Sequence, residues 1–165
     1  MPNLLIISAV IEVLALVLWV GGLAVLTLIV APAVFQTAPS RESAGRTFGL
    51  ILQRFNRLGW ACGLAILVAG PLRYAGRFSQ ELYAAEFTRY LLGLLMLGLS
   101  LYTGLVLARR IERLRGEMGV GIDQLVKDDP RRVEFNRQHG QSMALTAFNL
   151  LLGLAAVVLY GIEAR

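Results

Sequence analysis

The sequence predicts an all-α integral membrane protein, a four-helix bundle in a single transmembrane domain over residues 1–165. Of its 165 residues, 56% are hydrophobic and only 16% are charged, whereas about a quarter of the residues of a soluble domain are charged. The hydrophobic residues form four blocks of spanning or nearly spanning length, at about 4–35, 58–72, 91–108 and 143–160. This composition argues against a secreted disulfide scaffold, a disordered chain and a nucleic-acid-binding module.

The first helix is predicted over residues 4–35. At 1.5 Å per residue it is roughly 48 Å long, which exceeds the hydrocarbon core of about 30 Å, so it must tilt or protrude. Its apolar region is longer than the roughly 7 to 15 residues of a signal peptide, and no Lys or Arg precedes it. We therefore expect a transmembrane helix and not a cleaved signal.

The second helix is predicted to begin after the N-cap Ser40 and to stop at Gly70-Pro71. Its first part has arginines between apolar residues at three- and four-residue spacing, which predicts an interfacial amphipathic extension before the short span at 58–72. Residues 73–86 are expected to form a short extramembrane hairpin. The apolar residues of the extension are Phe48, Ile51, Leu52, Phe55 and Leu58.

The third helix is predicted from about Phe87, and its apolar part ends at Arg109-Arg110. We expect it to continue into water until glycines break it, at Gly116, Gly119 and Gly121.

The fourth helix is predicted to begin near Pro130, with Asp128 or Asp129 as its N-cap. Its first half is polar, so the third and fourth helices both have extramembrane extensions.

The positive charges predict the orientation in the membrane. Twelve of the 16 Lys and Arg residues lie on the face shared by the first and third connections. The four on the other face are Arg73, Arg77, Arg89 and Arg165. The positive-inside rule then places both termini outside the cytoplasm, in a cell membrane that we expect to be the bacterial inner membrane. We also expect anionic lipids to contact the basic cytoplasmic face.

A stripe of small and polar residues on the fourth helix is the most informative pattern. Its members follow one another at alternating spacings of three and four, so they share one face. This face should be turned toward the other helices, and the opposite surface is formed by Leu145, Leu152, Leu159 and their neighbours. The stripe either packs helices closely or lines a cavity or a proton, ion or metal site. Its members are His139, Ser142, Thr146, Asn149, Gly153, Ala156 and Tyr160.

His139 is the only histidine and Cys62 the only cysteine. One histidine excludes bis-His haem within one protomer and is too few for a usual structural zinc site, and one cysteine excludes an intramolecular disulfide. We expect no cofactor. A metal site could use His139 with Met143, one turn later, or recruit Glu12, Met96 or Cys62 from other helices. Sulfur with one imidazole would suit copper(I) better than zinc. The alternative is that His139 is a polar packing residue.

Three further polar residues border the apolar blocks. Glu12 either reaches water at the outer boundary or lies deeper and needs a partner. Arg54 and Asn56 stand where the second helix enters the membrane, where they either contact lipid phosphates or turn inward toward His139. The partners expected for a deep Glu12 are Arg73, Ser100, Thr103 and Asn149.

Five short motifs follow one another along the chain: Trp19-Val20-Gly21-Gly22, Ala31-Pro32-Ala33-Val34-Phe35, Ala44-Gly45-Arg46 with Gly49, Arg54-Phe55-Asn56, and His139-x-x-Ser142 with Asn149. Together they resemble the transmembrane-protein-205-like family of small four-helix membrane proteins. The resemblance covers nearly the whole chain and implies fold and membrane location better than activity, although the eukaryotic relative is associated with platinum-drug resistance and export. The first motif is also similar to copper-resistance-D-like membrane proteins.

Two classes of function follow. The first is a small transport or resistance protein that handles a cation, proton or soft metal through the stripe on the fourth helix. The second is a non-catalytic accessory or packing subunit, in a larger membrane complex or a homo-oligomer. No nucleophile with a base and no cofactor loop is recognisable, so we expect no enzyme and no nucleic-acid partner.

Overall fold

The computed structural model describes residues 2–74, 80–119 and 121–163, and the regular elements in these ranges are all helical. The predicted all-α class is therefore confirmed for the part of the chain that is described. A π-helical segment at Leu26–Val30 joins α1 to α2, another at Tyr102–Leu107 joins α4 to α5, and a short 3-10 turn lies at Ile122–Gln124. The α-helices are α1 (Pro2–Val25), α2 (Ala31–Thr37), α3 (Arg41–Tyr74), α4 (Gln80–Leu101), α5 (Ala108–Met118) and α6 (Pro130–Glu163).

Both predicted N-caps are present. The backbone N–H of Ser43 donates to Ser40 Oγ at 3.1 Å, so Ser40 caps α3. The backbone N–H of Arg131 donates to Asp129 Oδ1 at 2.8 Å, so Asp129 and not Asp128 caps α6. Each side-chain oxygen satisfies an amide that has no partner inside its helix, which fixes the first turn.

The first predicted helix continues through Pro32 by means of a π-helical turn. The N–H of Ala31 bonds to the carbonyl of Leu26, five residues earlier, immediately before the proline. Thr27 Oγ1 donates to the Leu23 carbonyl at 2.7 Å. Proline contributes no N–H, and a wider turn is one way that a helix accommodates it, so the prediction of one helix from α1 into α2 is confirmed.

The predicted stop at Gly70-Pro71 is wrong, because α3 continues to Tyr74 with Pro71 inside it. Proline there removes one hydrogen bond only, within one turn of the helix end. Gly70 has a packing role instead: a Cβ at this position would lie 2.7 Å from Cδ2 of Tyr90 on α4. The glycine lets α3 and α4 approach closely.

Two boundaries of the third predicted helix also differ. Helix α4 begins at Gln80, seven residues before Phe87, since the intervening segment is rich in the strong helix formers Ala, Glu and Leu. The predicted hairpin therefore overlaps α3 and α4, and its residues 75–79 lie outside the described part. Gly116 stays helical, whereas Gly119 at φ 66° ends α5 because glycine adopts left-handed backbone without strain.

The helices form four rods: α1 with α2, α3, α4 with α5, and α6. Helix α1 packs against α3 and α6, and α4 packs against the same two helices. The first and third connections lie at one end, where Nη2 of Arg115 on α5 is 3.4 Å from the place of a Cβ on Gly45 of α3. The buried hydrophobic residues that form the core between the rods are Ala15, Leu16, Trp19, Val20, Leu23, Cys62, Ile66, Met96 and Ala156.

Three helical segments are long and apolar enough to cross a membrane: Leu4–Thr37, Phe87–Met118 and Pro130–Gly161. Within the described residues α3 contains no such segment: arginines lie in its first half, and its apolar block 58–72 ends where the described side chains end. Three of the four predicted spans thus meet the criterion of length and hydropathy.

The first half of α3 was expected to be an interfacial extension. It is continuous with the rest of α3, and part of its surface is covered by protein: the Phe48 and Phe35 rings are 6.3 Å apart. The Glu42 carboxylate lies against Gly121, in the connection after α5, where a Cβ on the glycine would collide with it. This side of the extension therefore packs on α2 and on the connection that follows α5.

Candidate functional site

Two oppositely charged side chains are buried where α1 and α4 face the interior. Glu12 is 6% exposed and Arg89 is 4% exposed. The inward face of α1 also contains Ser8, Ala15 and Trp19, at spacings of three and four that match a helical stripe. The same periodicity that builds the apolar core therefore brings Glu12 into it.

A small cavity is lined by the two charged side chains together with residues of the apolar core. It has a volume of about 10 Å³ and is lined by Glu12, Arg89 and Tyr160, together with apolar residues that include Leu16 and Ile66. Such a volume accommodates about one water molecule. The guanidinium carbon of Arg89 lies 3.7 Å from the centre of the Tyr160 ring, which is a close cation–π contact.

The electrostatics of this cavity require partners. Burial of an isolated carboxylate or guanidinium costs several kcal/mol, roughly, unless an opposite charge or hydrogen bonds compensate. Glu12, Arg89 and Tyr160 each take part in polar or electrostatic contacts. The structure therefore places Glu12 inside the protein, with contacts to other side chains.

Sequence reasoning placed Arg89 on the outer face by charge and did not propose it as a partner of Glu12. A signal for it is present, because Arg89, Gly93, Met96 and Ser100 are all buried at spacings of four, three and four. This stripe on α4 is the counterpart of the one on α6. An arginine inside a stripe of small and apolar residues is the feature that would have identified it.

The stripe on α6 faces the other helices, as predicted. Asn149, Gly153 and Ala156 are buried, and the remaining four members are half-buried. Thr146 Oγ1 donates to the Ser142 carbonyl at 2.8 Å, while Asn149 is 5% exposed and its Oδ1 has no hydrogen-bond partner among the described residues.

The opposite face of α6 differs from the expectation. The strongly exposed residues there include Leu151 and Val158. Leu145, Leu152 and Leu159 are half-buried, and Leu152 packs against the core. The most exposed apolar face of α6 is therefore rotated about the helix axis by part of a turn from Leu145, Leu152 and Leu159.

His139 lies in the polar first half of α6. Its ring stacks on Phe135 with centroids 6.0 Å apart, and the Arg115 guanidinium lies 5.6 Å from the Phe135 ring centre. Met143 is 61% exposed. Within the described ranges, no group of three His, Cys, Asp or Glu residues could hold a metal ion, so His139 and Met143 gain no third ligand of these types.

The two candidate residues on α3 point in different directions. Arg54 is exposed, in agreement with contact to lipid phosphates, while Asn56 is half-buried. Nδ2 of Asn56 lies 3.0 Å from the place of a Cβ on Gly104, in the π-helical segment after α4. Asn56 therefore packs toward that segment, and the ring contact described for His139 is with its own helix.

An apolar layer separates the charged cavity from the level of Asn149. A Cβ on Gly153 would lie 2.5 Å from Cγ2 of Val20 and 3.0 Å from Cε of Met96. This position admits no side chain unless its neighbours move. The charged cavity and the buried Asn149 thus lie at different levels of the interior, with Val20, Met96 and Gly153 between them.

The N-cap of α6 supplies a titratable group outside the apolar segments. Hydrogen bonds from the Arg131 side chain and backbone hold the pKa of the Asp129 carboxyl below its usual value. The carboxylate is the form that accepts both hydrogen bonds, so they favour ionisation. This cap lies at the end of the molecule where the arginines are concentrated.

Fold and site together define a helical protein of membrane type, with three helices able to span a bilayer and charged groups buried between them. The chain belongs to the family described as a domain of unknown function, DUF4149, whose model matches residues 14–119. The match includes Arg89 and ends before α6. No curated protein and no solved structure matches the chain.

Proposed function

We propose that the protein crosses the cell membrane as a four-helix bundle and carries protons or a small cation along the stripe of small and polar residues on α6. Exposed apolar side chains such as Leu28, Leu64 and Val158 on three different rods support contact with lipid. The arginine excess at the end with the first and third connections supports a cytoplasmic location for that end, with both termini outside.

The observation that carries the proposal is the buried amide of Asn149. Its Oδ1 lacks a hydrogen-bond partner among the described residues, in a protein whose surface suits hydrocarbon. An unsatisfied buried polar atom costs about 1–3 kcal/mol, and apolar packing would avoid this cost. A polar group kept at such a position favours contact with water or with a passing cation.

Flux measurements on purified protein test the proposal. Vesicles with a pH-sensitive dye inside would receive a pH gradient, and parallel vesicles would receive gradients of Na⁺ or K⁺. We expect flux above that of protein-free vesicles and a loss of flux in Asn149→Leu. The matched control is Leu151→Ala, since Leu151 is exposed on the same helix. Flux no greater than in protein-free vesicles for every ion would refute the proposal.

A second candidate, a non-catalytic packing or accessory subunit, is favoured by the close helix contacts. A Cβ on Gly59 would lie 2.7 Å from Nε1 of Trp19, and a Cβ on Gly63 would lie 2.8 Å from Cδ1 of Leu97. Small residues that permit such approach are typical of helix association in membranes. Native mass spectrometry in mild detergent would reveal a stable hetero-complex or homo-oligomer, and such an assembly without flux would favour this candidate.

Metal resistance is a proposal that rests on the resemblance to the transmembrane-protein-205-like and copper-resistance-D-like proteins. The ligand pair would be His139 and Met143, with a soft metal such as copper(I). Metal analysis of purified protein tests it, with His139→Ala and Met143→Leu compared side by side. Equal metal content in both variants and the parent would refute it.

A further inference from the structure

We propose that Glu12, Arg89 and Tyr160 form a proton-binding site in which the Glu12 carboxylate is the acceptor. The inference deepens the proposed function, because it names the proton as the cation and Glu12 as the group that holds it. This site lies on the other side of the layer of Val20, Met96 and Gly153 from Asn149.

The cavity is built by four helices. Helix α1 contributes Glu12, α4 contributes Arg89 and α6 contributes Tyr160, whereas α3 contributes the apolar Ile66. The described side chains that line it include one acid, one base and one phenol, and its other residues are apolar or glycine. Among the described residues that line this space, Arg89 is the charged group that accompanies Glu12, and Tyr160 is the neighbouring polar ring.

The chemistry at the site is a single proton transfer. A proton enters through the water that the cavity accommodates and binds a carboxylate oxygen of Glu12, which becomes a neutral carboxylic acid. The O–H bond to the acceptor forms as the O–H bond of the hydrated proton breaks, so water is returned. The net charge of Glu12 and Arg89 together changes from zero to +1.

Tyr160 explains how the site holds this extra charge. The Arg89 guanidinium lies 3.7 Å from the ring centre, so it keeps a favourable contact when the carboxylate is neutral. Cation–π attraction of this kind is strongest where water is excluded. The ring therefore reduces the penalty for leaving arginine without a carboxylate partner, and the site accommodates both protonation states.

A purely structural ion pair is a poor explanation of these residues. Replacement of a buried pair by apolar residues of similar volume is often neutral or stabilising, so burial of both charges is weak evidence for a stabilising role. The cavity beside the pair also contributes nothing to packing. Room for one water next to a buried carboxylate is, in contrast, what proton exchange requires.

Infrared difference spectroscopy on the full-length protein in vesicles tests the site, combined with the proton-flux assay. On acidification we expect the band of a buried carboxylic acid, its loss in Glu12→Gln and its shift in frequency in Glu12→Asp. Proton flux should be lost in Glu12→Gln as well. Glu117→Gln is the control, because Glu117 is exposed near the end of α5, and it should leave both readouts unchanged.

The outcomes separate this inference from the proposed function. Flux that is equal in the parent and in folded Glu12→Gln would overturn the site and leave transport standing. The Glu12 band without any flux would support the site and refute transport. If Glu12→Gln does not fold, Glu12→Asp decides: an unshifted band overturns the assignment to Glu12, and a shifted band supports it.

Discussion

Replacement of Gly59 by alanine tests the packing of α3 on α1. Trp19 is 1% exposed, and a Cβ on Gly59 would lie 2.7 Å from its Nε1 and 3.2 Å from its Cδ1. Both distances are shorter than van der Waals contact, so the ring or the whole helix must move. Gly49 is the matched control on the same helix, because a Cβ there meets nothing within 4 Å.

The expected magnitude follows from two opposing terms. Extra volume in a packed interior costs about 1–3 kcal/mol, whereas glycine to alanine in a helix gains about 0.5–1 kcal/mol. Gly59→Ala should therefore lose up to about 2.5 kcal/mol, while Gly49→Ala should gain about 0.5–1 kcal/mol, by these same terms. The two variants should differ about 5- to 150-fold in the unfolding equilibrium, that is by about 1–3 kcal/mol.

Unfolding in mixed micelles of mild detergent and dodecyl sulfate measures this difference. Trp19 is one of only two tryptophans, so its fluorescence reports on the contact itself. A Gly59→Ala variant as stable as Gly49→Ala would refute the proposed close approach of α1 and α3.

Three further predictions concern the interior and the cap of α6. In a double-mutant cycle, Arg89→Met should lose up to about 3–5 kcal/mol of stability, because Glu12 must then stay buried without an opposite charge or take up a proton. Glu12→Gln combined with Arg89→Met should lose less than the sum of the two single variants. Additive losses would contradict an electrostatic coupling between the two residues. Asn149→Leu should unfold no more easily than the parent, and should gain up to about 1 kcal/mol, because it removes an unsatisfied oxygen; a marked loss of stability would show that the amide is satisfied. Arg131 lowers the folded-state pKa of Asp129, so the cap stabilises the protein above the unfolded-state pKa and loses this effect as the pH falls through the folded-state pKa. Thermal unfolding followed across this acidic range should therefore depend less on pH in Asp129→Ala than in the parent. An unchanged pH dependence in the variant would contradict the cap.

Much of the fold was predictable because membrane helices obey strong local rules. Apolar blocks, N-caps and the three- and four-residue spacing on α6 depend only on nearby residues. Ser40, Asp129 and the inward stripe through Asn149 followed from them. Gly119 was among the expected breakers, although the sequence alone did not show which of three glycines would end the helix.

The remaining features depend on contacts between helices that are distant in the sequence. Gly70 resembles a stop signal, yet the Tyr90 ring occupies the space it leaves. Arg89 resembles a residue of the polar connection, because only the packing of α4 on α1 and α6 shows that it is buried. The π-helical turn beside Gly104 likewise has no local signal comparable to Pro32.

The most direct test of the account is the accessibility of single cysteines in a Cys62→Ala background, measured with a membrane-impermeant thiol reagent. The account places residues Leu4, Phe87 and Gly161 at the outer side of the bilayer, and Thr37 and Gln124 at the cytoplasmic side. We expect cysteines at the first three positions to react only from outside and at the other two only from the cytoplasm. Reaction of Thr37→Cys and Phe87→Cys from the same side would contradict the account, because α3 would then not cross the membrane.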